Sequence, residues 1–196
     1  MIGGSRRGFS AVEMLVVIAI FAVASLVITS TYINFTRLHR RVANAETLGE
    51  DLRFVAELLV RASRANTIVY PPLPGALTSP SSTLQLVSSG GSPVWIQRFA
   101  TSSAVCTGLD AACLGLSTDN GTNWSAITGK NIAVNRFDVY VTPVENPFEP
   151  VGIGVYANDD QPRVTFVIEA AYNAPNPLEV AELQLQTSVS SRVYVR

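Results

Sequence analysis

A chain of 196 residues with a formal net charge of −1, from 14 basic and 15 acidic side chains, can bury one ordinary core and carries no electrostatic footprint for nucleic acid. Charged residues make up only 15%, against roughly 25% in an ordinary soluble domain. Mean hydropathy is positive at +0.27, and part of that apolar excess sits in one stretch near the N-terminus.

That stretch, Phe9 to Ile28, contains one charged residue, Glu13. As a helix it spans roughly 30 Å, the thickness of a bilayer's hydrocarbon core. The segment before it is short, polar and basic, and Arg6 and Arg7 should hold the N-terminus on the cytoplasmic side. Everything after Ile28 is then expected outside the cytoplasm. Three readings compete: a secretory signal peptide cut near Ala22-Val23-Ala24, an uncleaved single-span anchor, and a precursor cut before the apolar run. Glu13 separates them, because a carboxylate inside a bilayer costs about 2.5–3.5 kcal/mol and marks function. Cleavage after Gly8 would create a compensating cation, the α-amine of Phe9.

The residues here closely resemble the type IV prepilin N-terminal motif: a basic leader ending in Gly8, then Phe9, Ser10, Ala11, Val12, Glu13, Met14, Leu15, Val16, Val17, Ile18, Ala19 and Ile20. In that family a prepilin peptidase cuts after the glycine and N-methylates the new first residue. The glutamate four residues further on meets the N-terminal amine of a neighbouring subunit during assembly. The resemblance thus implies cleavage between Gly8 and Phe9, N-methylation of Phe9 and an assembly role for Glu13. It also implies as partners prepilin peptidase, other pilin or pseudopilin subunits, an inner-membrane assembly platform and membrane lipid. Val12 and Met14 depart from the more leucine-rich family pattern but keep the surface apolar. No proline occurs between Phe9 and Val69, which leans toward a minor pilin or pseudopilin over a major pilin.

From Leu38 the pattern turns amphipathic. Leu38, Val42, Ala45, Leu48, Leu52, Val55, Leu59 and Ala62 recur at spacings of three and four, with Arg40, Arg41, Glu46, Glu50, Asp51, Arg53, Glu57 and Arg61 on the other sides. Phe9 to about Ala65 is therefore expected as one helix. Glu57–Arg61 is a favourable i,i+4 pair, and Gly49 is the weak point. The basic cluster Arg37, His39, Arg40 and Arg41 reads as a solvated collar facing lipid headgroups.

After Ala65 the chain becomes rich in Pro, Gly, Ser and Thr, and β-prone runs follow. Strands are predicted over Thr83–Ser88, Pro93–Ala100, Ile132–Thr142, Val151–Tyr156, Arg163–Tyr172, Val180–Thr187 and Arg192–Val195, several with period-two alternation. The fold class expected is α+β: a long N-terminal helix, half membrane-spanning and half amphipathic, packed against an antiparallel β-sheet head in a pilin-like arrangement. The expected divisions are a leader at 1–8, an assembly helix at 9–28, its amphipathic extension at 29–65 and a β-rich head at 66–196. The C-terminal run from Leu185 to Arg196 also resembles the tail of W-type minor pilins and J-type pseudopilins.

Cys106 and Cys113 are the only cysteines, and outside the cytoplasm a pair this close reads as a disulfide; a metal site would want more ligands. Ser117-Thr118-Asp119-Asn120-Gly121-Thr122-Asn123-Trp124 resembles an Asp-box, a structural β-hairpin motif of sialidases and other propellers. Asp119 would then bond turn amides, Gly121 would take positive φ and Trp124 would pack under the turn. A calcium loop using Asp119 and Asn120, or a glycan-facing Trp124, are the alternatives. No Cys-x-x-Cys, HExxH, P-loop or G-x-S-x-G occurs, and His39 lies beside the apolar run. No enzyme activity, cofactor, metal or nucleic-acid partner for the head is expected. An anchored binding module is the rival of a different class.

Overall fold

A computed structural model describes residues 10–72, 75–109, 111–152, 155–156 and 160–191. The fold begins with one helix, α1 (Ala11–Ala65). It is capped at its start by Ser10, whose hydroxyl accepts from the Glu13 amide at 3.2 Å while its carbonyl accepts from Met14. The chain divides into two compact units, Met1–Arg40 and Arg41–Arg196.

In the second unit the helix has the one-sided character that its spacing predicts. Leu48, Leu52, Val55 and Leu59 are fully buried, and Ala45, Leu58, Val60 and Ala62 pack partly against the same core. Leu38 and Val42, expected on that stripe, stay exposed. Asn44 ties the helix to the head, its side-chain amide donating to the Glu179 carbonyl at 2.9 Å. Asp51 was expected among the solvated charges. Instead its carboxylate accepts from the Gly129 amide at 3.1 Å, fastening the helix to the turn before a long strand.

The strands are β1 (Asn66–Ile68), β2 (Thr83–Ser88), β3 (Pro93–Phe99), β4 (Cys113–Ser117), β5 (Ser125–Ala126), β6 (Ile132–Thr142), β7 (Pro150–Gly152), β8 (Val155–Tyr156), β9 (Arg163–Tyr172) and β10 (Ala181–Ser190). They are antiparallel throughout. Where one sheet was expected, the head holds a five-stranded sheet in the order β1-β2-β3-β4-β5, a three-stranded sheet in the order β10-β9-β6, and the ribbon β7-β8. Both larger sheets pair chain neighbours, with the ribbon inserted between β6 and β9. β6 joins the two: Ser81 and Val139 exchange backbone hydrogen bonds, the Val134 amide donates to Ala112, and Arg98 Nε donates to the Val134 carbonyl.

Strand burial follows from period two. In β9, Val164, Phe166, Ile168 and Ala170 are buried while the residues between them are not. A single core results, in which the helix stripe meets Leu84, Leu86, Ile96 and Leu114 from one sheet and Phe137, Val139, Phe166 and Ile168 from the other. Phe137 and Phe166 lie nearly parallel, with centroids 6.3 Å apart.

Candidate functional site

The first candidate is the N-terminal helical segment. Gly8 and Phe9, the expected cleavage and methylation residues, lie outside the described residues. Glu13 sits in the first turn of α1, exposed, with its amide on the Ser10 hydroxyl. Ser10-x-x-Glu13 is the sequence form of a capping box, and an acid in the first turn faces the positive end of the helix macrodipole. This local role was legible in the sequence as S-x-x-E and was missed beside the membrane argument. It lowers the cost of keeping a charge there without explaining why the charge lies in an apolar segment.

Apart from Glu13 and Ser25, the helix surface from Val12 to Ile28 is apolar on every side and open. Val12, Phe21 and Leu26 each leave 72% of their surface exposed, and α1 is long and apolar enough to cross a membrane. The hydroxyls of Thr29, Ser30, Thr31 and Thr36 return to carbonyls three or four residues earlier in their own helix. Their polar groups are thus satisfied without water, as a nonaqueous environment requires. Tyr32 and Phe35 are exposed just before Arg37, His39, Arg40 and Arg41. Aromatic and then basic residues at the end of an apolar helix are the order found at a membrane–water interface. A bare apolar cylinder of this length needs lipid or other helices around it, because water would charge about 25 cal/mol for each Å² exposed.

The second candidate is the loop region of the five-stranded sheet. Cys106 and Cys113 form a disulfide, with Cα atoms 5.7 Å apart, and both residues are buried. Beyond it, β4 and β5 form a hairpin whose turn is Ser117–Trp124. Ser117 donates from Oγ to Asp119 Oδ1 at 2.7 Å and accepts the Gly121 amide at 3.0 Å. Asp119 Oδ1 also accepts the Asn123 amide at 2.8 Å, and Oδ2 accepts from the Asn123 side chain. These bonds, the Asn123 amide first, hold the Asp119 carboxyl down at about 2. Gly121 has φ +81°, and Trp124 donates from Nε1 to the Gly121 carbonyl while its ring meets Phe99 edge-on at 4.8 Å. The three roles expected for Asp119, Gly121 and Trp124 are therefore filled. Both Asp119 oxygens and the Trp124 N–H are occupied by the turn itself, which gives them a structural use. Among the described residues no group of three or more His, Cys, Asp or Glu side chains could hold a metal ion.

A third feature had no forewarning in the sequence: an open groove of about 630 Å³ between α1 and β10. Gly49, Arg53, Ala56 and Val60 of α1 line it on one side and Leu183, Leu185 and Thr187 of β10 on the other. Comparison with protein-family models, with curated proteins and with solved structures finds no match.

Proposed function

We propose that the chain is a filament subunit of the type IV pilin-like class, a minor pilin or pseudopilin. In this reading it is made as a precursor in the inner membrane, cut after Gly8 by prepilin peptidase and N-methylated on Phe9. It then joins other pilin or pseudopilin subunits at an assembly platform. The head lies outside the cytoplasm throughout, first at the membrane and later in a pilus or periplasmic pseudopilus. The chain's role is structural and not catalytic.

One observation carries this reading. A single helix, Ala11–Ala65, begins with a lone carboxylate on an otherwise apolar, fully open surface and continues as the buried layer of an antiparallel head. A subunit that must move from a bilayer into a helical core needs this combination: an apolar surface that accepts lipid or protein equally, on the same chain as a folded head. The Cys106–Cys113 disulfide supports an oxidising compartment for that head. Glu13 follows by four residues the Phe9 amine that cleavage would create, and opposite charges in a low dielectric attract strongly.

The first test is the N-terminal residue and mass of the protein from membranes of its native host. N-methyl-phenylalanine at position 9 is the expected result. A start at Ser25 would mean an ordinary signal peptide, and an intact Met1 would mean a simple anchor; either removes the assembly role. A Glu13→Ala variant should be processed yet enter filaments poorly, and normal incorporation would sink the docking role of the carboxylate.

A further inference from the structure

The outer edge of β10 has no strand beside it among the described residues, since β10 pairs with β9 alone. Its one charged residue is Glu182. Its ten residues, Ala181–Ser190, contain no Pro and no Lys, and the register with β9 runs without a bulge from Ala181↔Tyr172 to Ser190↔Arg163. Folded proteins ordinarily blunt such an edge with one of those devices, because unpaired N–H and C=O groups in a row recruit another strand.

The groove lies along this edge. Leu183 and Leu185 stand opposite Ala170 and Ile168 in the ladder, so they point to the helix side of the sheet. Leu183 is nevertheless 36% exposed and Leu185 is only half-buried. They form one wall, and Gly49, Ala56 and Val60 of α1 form the other. Arg53, Arg61 and Arg64 stand along the helix side of the groove. Arg61 is paired with Glu57, whereas Arg53 and Arg64 are exposed and make no ion pair among the described residues.

We propose that this edge and groove bind an extended acidic segment of a partner protein, which adds to the sheet as a strand beside β10. The backbone edge specifies an extended chain, the apolar walls take every second side chain, and the two unpaired arginines select carboxylates. The spacing sets a pattern. Arg53 and Arg64 are eleven residues apart on a helix, about 16 Å. Two same-face residues four apart on a strand are separated by about 14 Å, a difference that the flexible arginine arms absorb. The inference concerns the head alone and does not depend on cleavage at Gly8.

The probe is a synthetic nonapeptide of Thr and Val with Glu at its third and seventh positions, added to the full-length chain in detergent micelles. Hydrogen exchange read residue by residue should slow at least tenfold for β10 amides on the outer edge. An Arg53→Glu/Arg64→Glu double variant should bind this peptide at least tenfold more weakly and prefer a version carrying Lys at the same two positions. Both residues are exposed, so the variant's thermal melt should match the parent chain. The proposal is overturned if β10 exchange does not slow, if the Lys version binds the parent chain equally well, or if a peptide N-methylated along its pairing edge binds as tightly. Slowing of β10 exchange on raising protein concentration alone would place a second copy on the edge and equally overturn it.

Discussion

Asp119 is the residue whose electrostatics are most sharply defined. It is half-buried, and two hydrogen bonds from Asn123 and one from Ser117 favour its charged form and hold the carboxyl at about 2. A carboxyl depressed in the folded state adds stability that is fully present above its unfolded value, about 3.9, and is lost as pH falls through about 2. A carboxyl-detected NMR titration should give Asp119 a midpoint near 2, and melting temperature should fall in acid less steeply in Asp119→Asn than in the parent chain. A midpoint near 4 would mean that the turn bonds do not persist in solution. Ser117 is the buried counterpart, accepting the Gly121 amide. Ser117→Ala should cost about 1–3 kcal/mol by leaving that amide unpaired, measured by denaturant unfolding. The turn was legible from its residue types because its bonds are local, all within five positions. Glu13 had one local meaning as well, a first-turn acid behind Ser10, which the argument about membrane cost overshadowed.

At the scale of the element, two glycines make opposite predictions. Gly49 lies inside α1, and a Cβ there would meet nothing within 4 Å. Gly49→Ala should stabilise the head by about 0.5–1 kcal/mol through helix propensity alone. Gly129 precedes β6 on the turn that α1 grips, and a Cβ there would run into the Asp51 carboxylate. Gly129→Ala should destabilise by about 1–3 kcal/mol, since it breaks a charge-assisted bond and strands its amide. Chemical denaturation of both variants checks the pair, and equal effects would sink the assigned role of Asp51. Helix and strand legibility divides along the same line. β2, β6 and β9 fall where predicted, because apolar alternation announces a half-buried strand. β1, β4 and β5 went unseen. β1 and β5 are three and two residues long, and β4 is buried on nearly every residue, so none shows a period. The Val151–Tyr156 run resolves into β7 and β8, β10 begins one residue later and ends three later than predicted, and the Arg192–Val195 strand lies outside the described residues.

The whole molecule separates into a unit that cannot be at ease in water and one that can. A chain beginning at Arg41 should be a soluble monomer that unfolds in one transition, whereas the full chain should require detergent. Sedimentation and thermal melts check this, and aggregation of the shortened chain would mean that the first forty residues are needed for the head to fold. Reducing the Cys106–Cys113 bond, which closes a loop with a sequence separation of 7, should cost that head about 2–3 kcal/mol.

The sequence by itself determined the apolar helix with its single carboxylate, its amphipathic continuation, the α+β class, the cysteine pairing and the Asp119 turn. Each depends on residue type and short spacing, which a linear chain displays directly. The tertiary structure alone decided that the strands divide between two sheets joined at β6. It also decided that Asp51 holds the Gly129 turn, that the buried stripe starts at Ala45 and not Leu38, and that β10 and α1 enclose a groove beside Arg53 and Arg64. These outcomes depend on which distant segments meet and where their edges stop. No spacing within one segment encodes that.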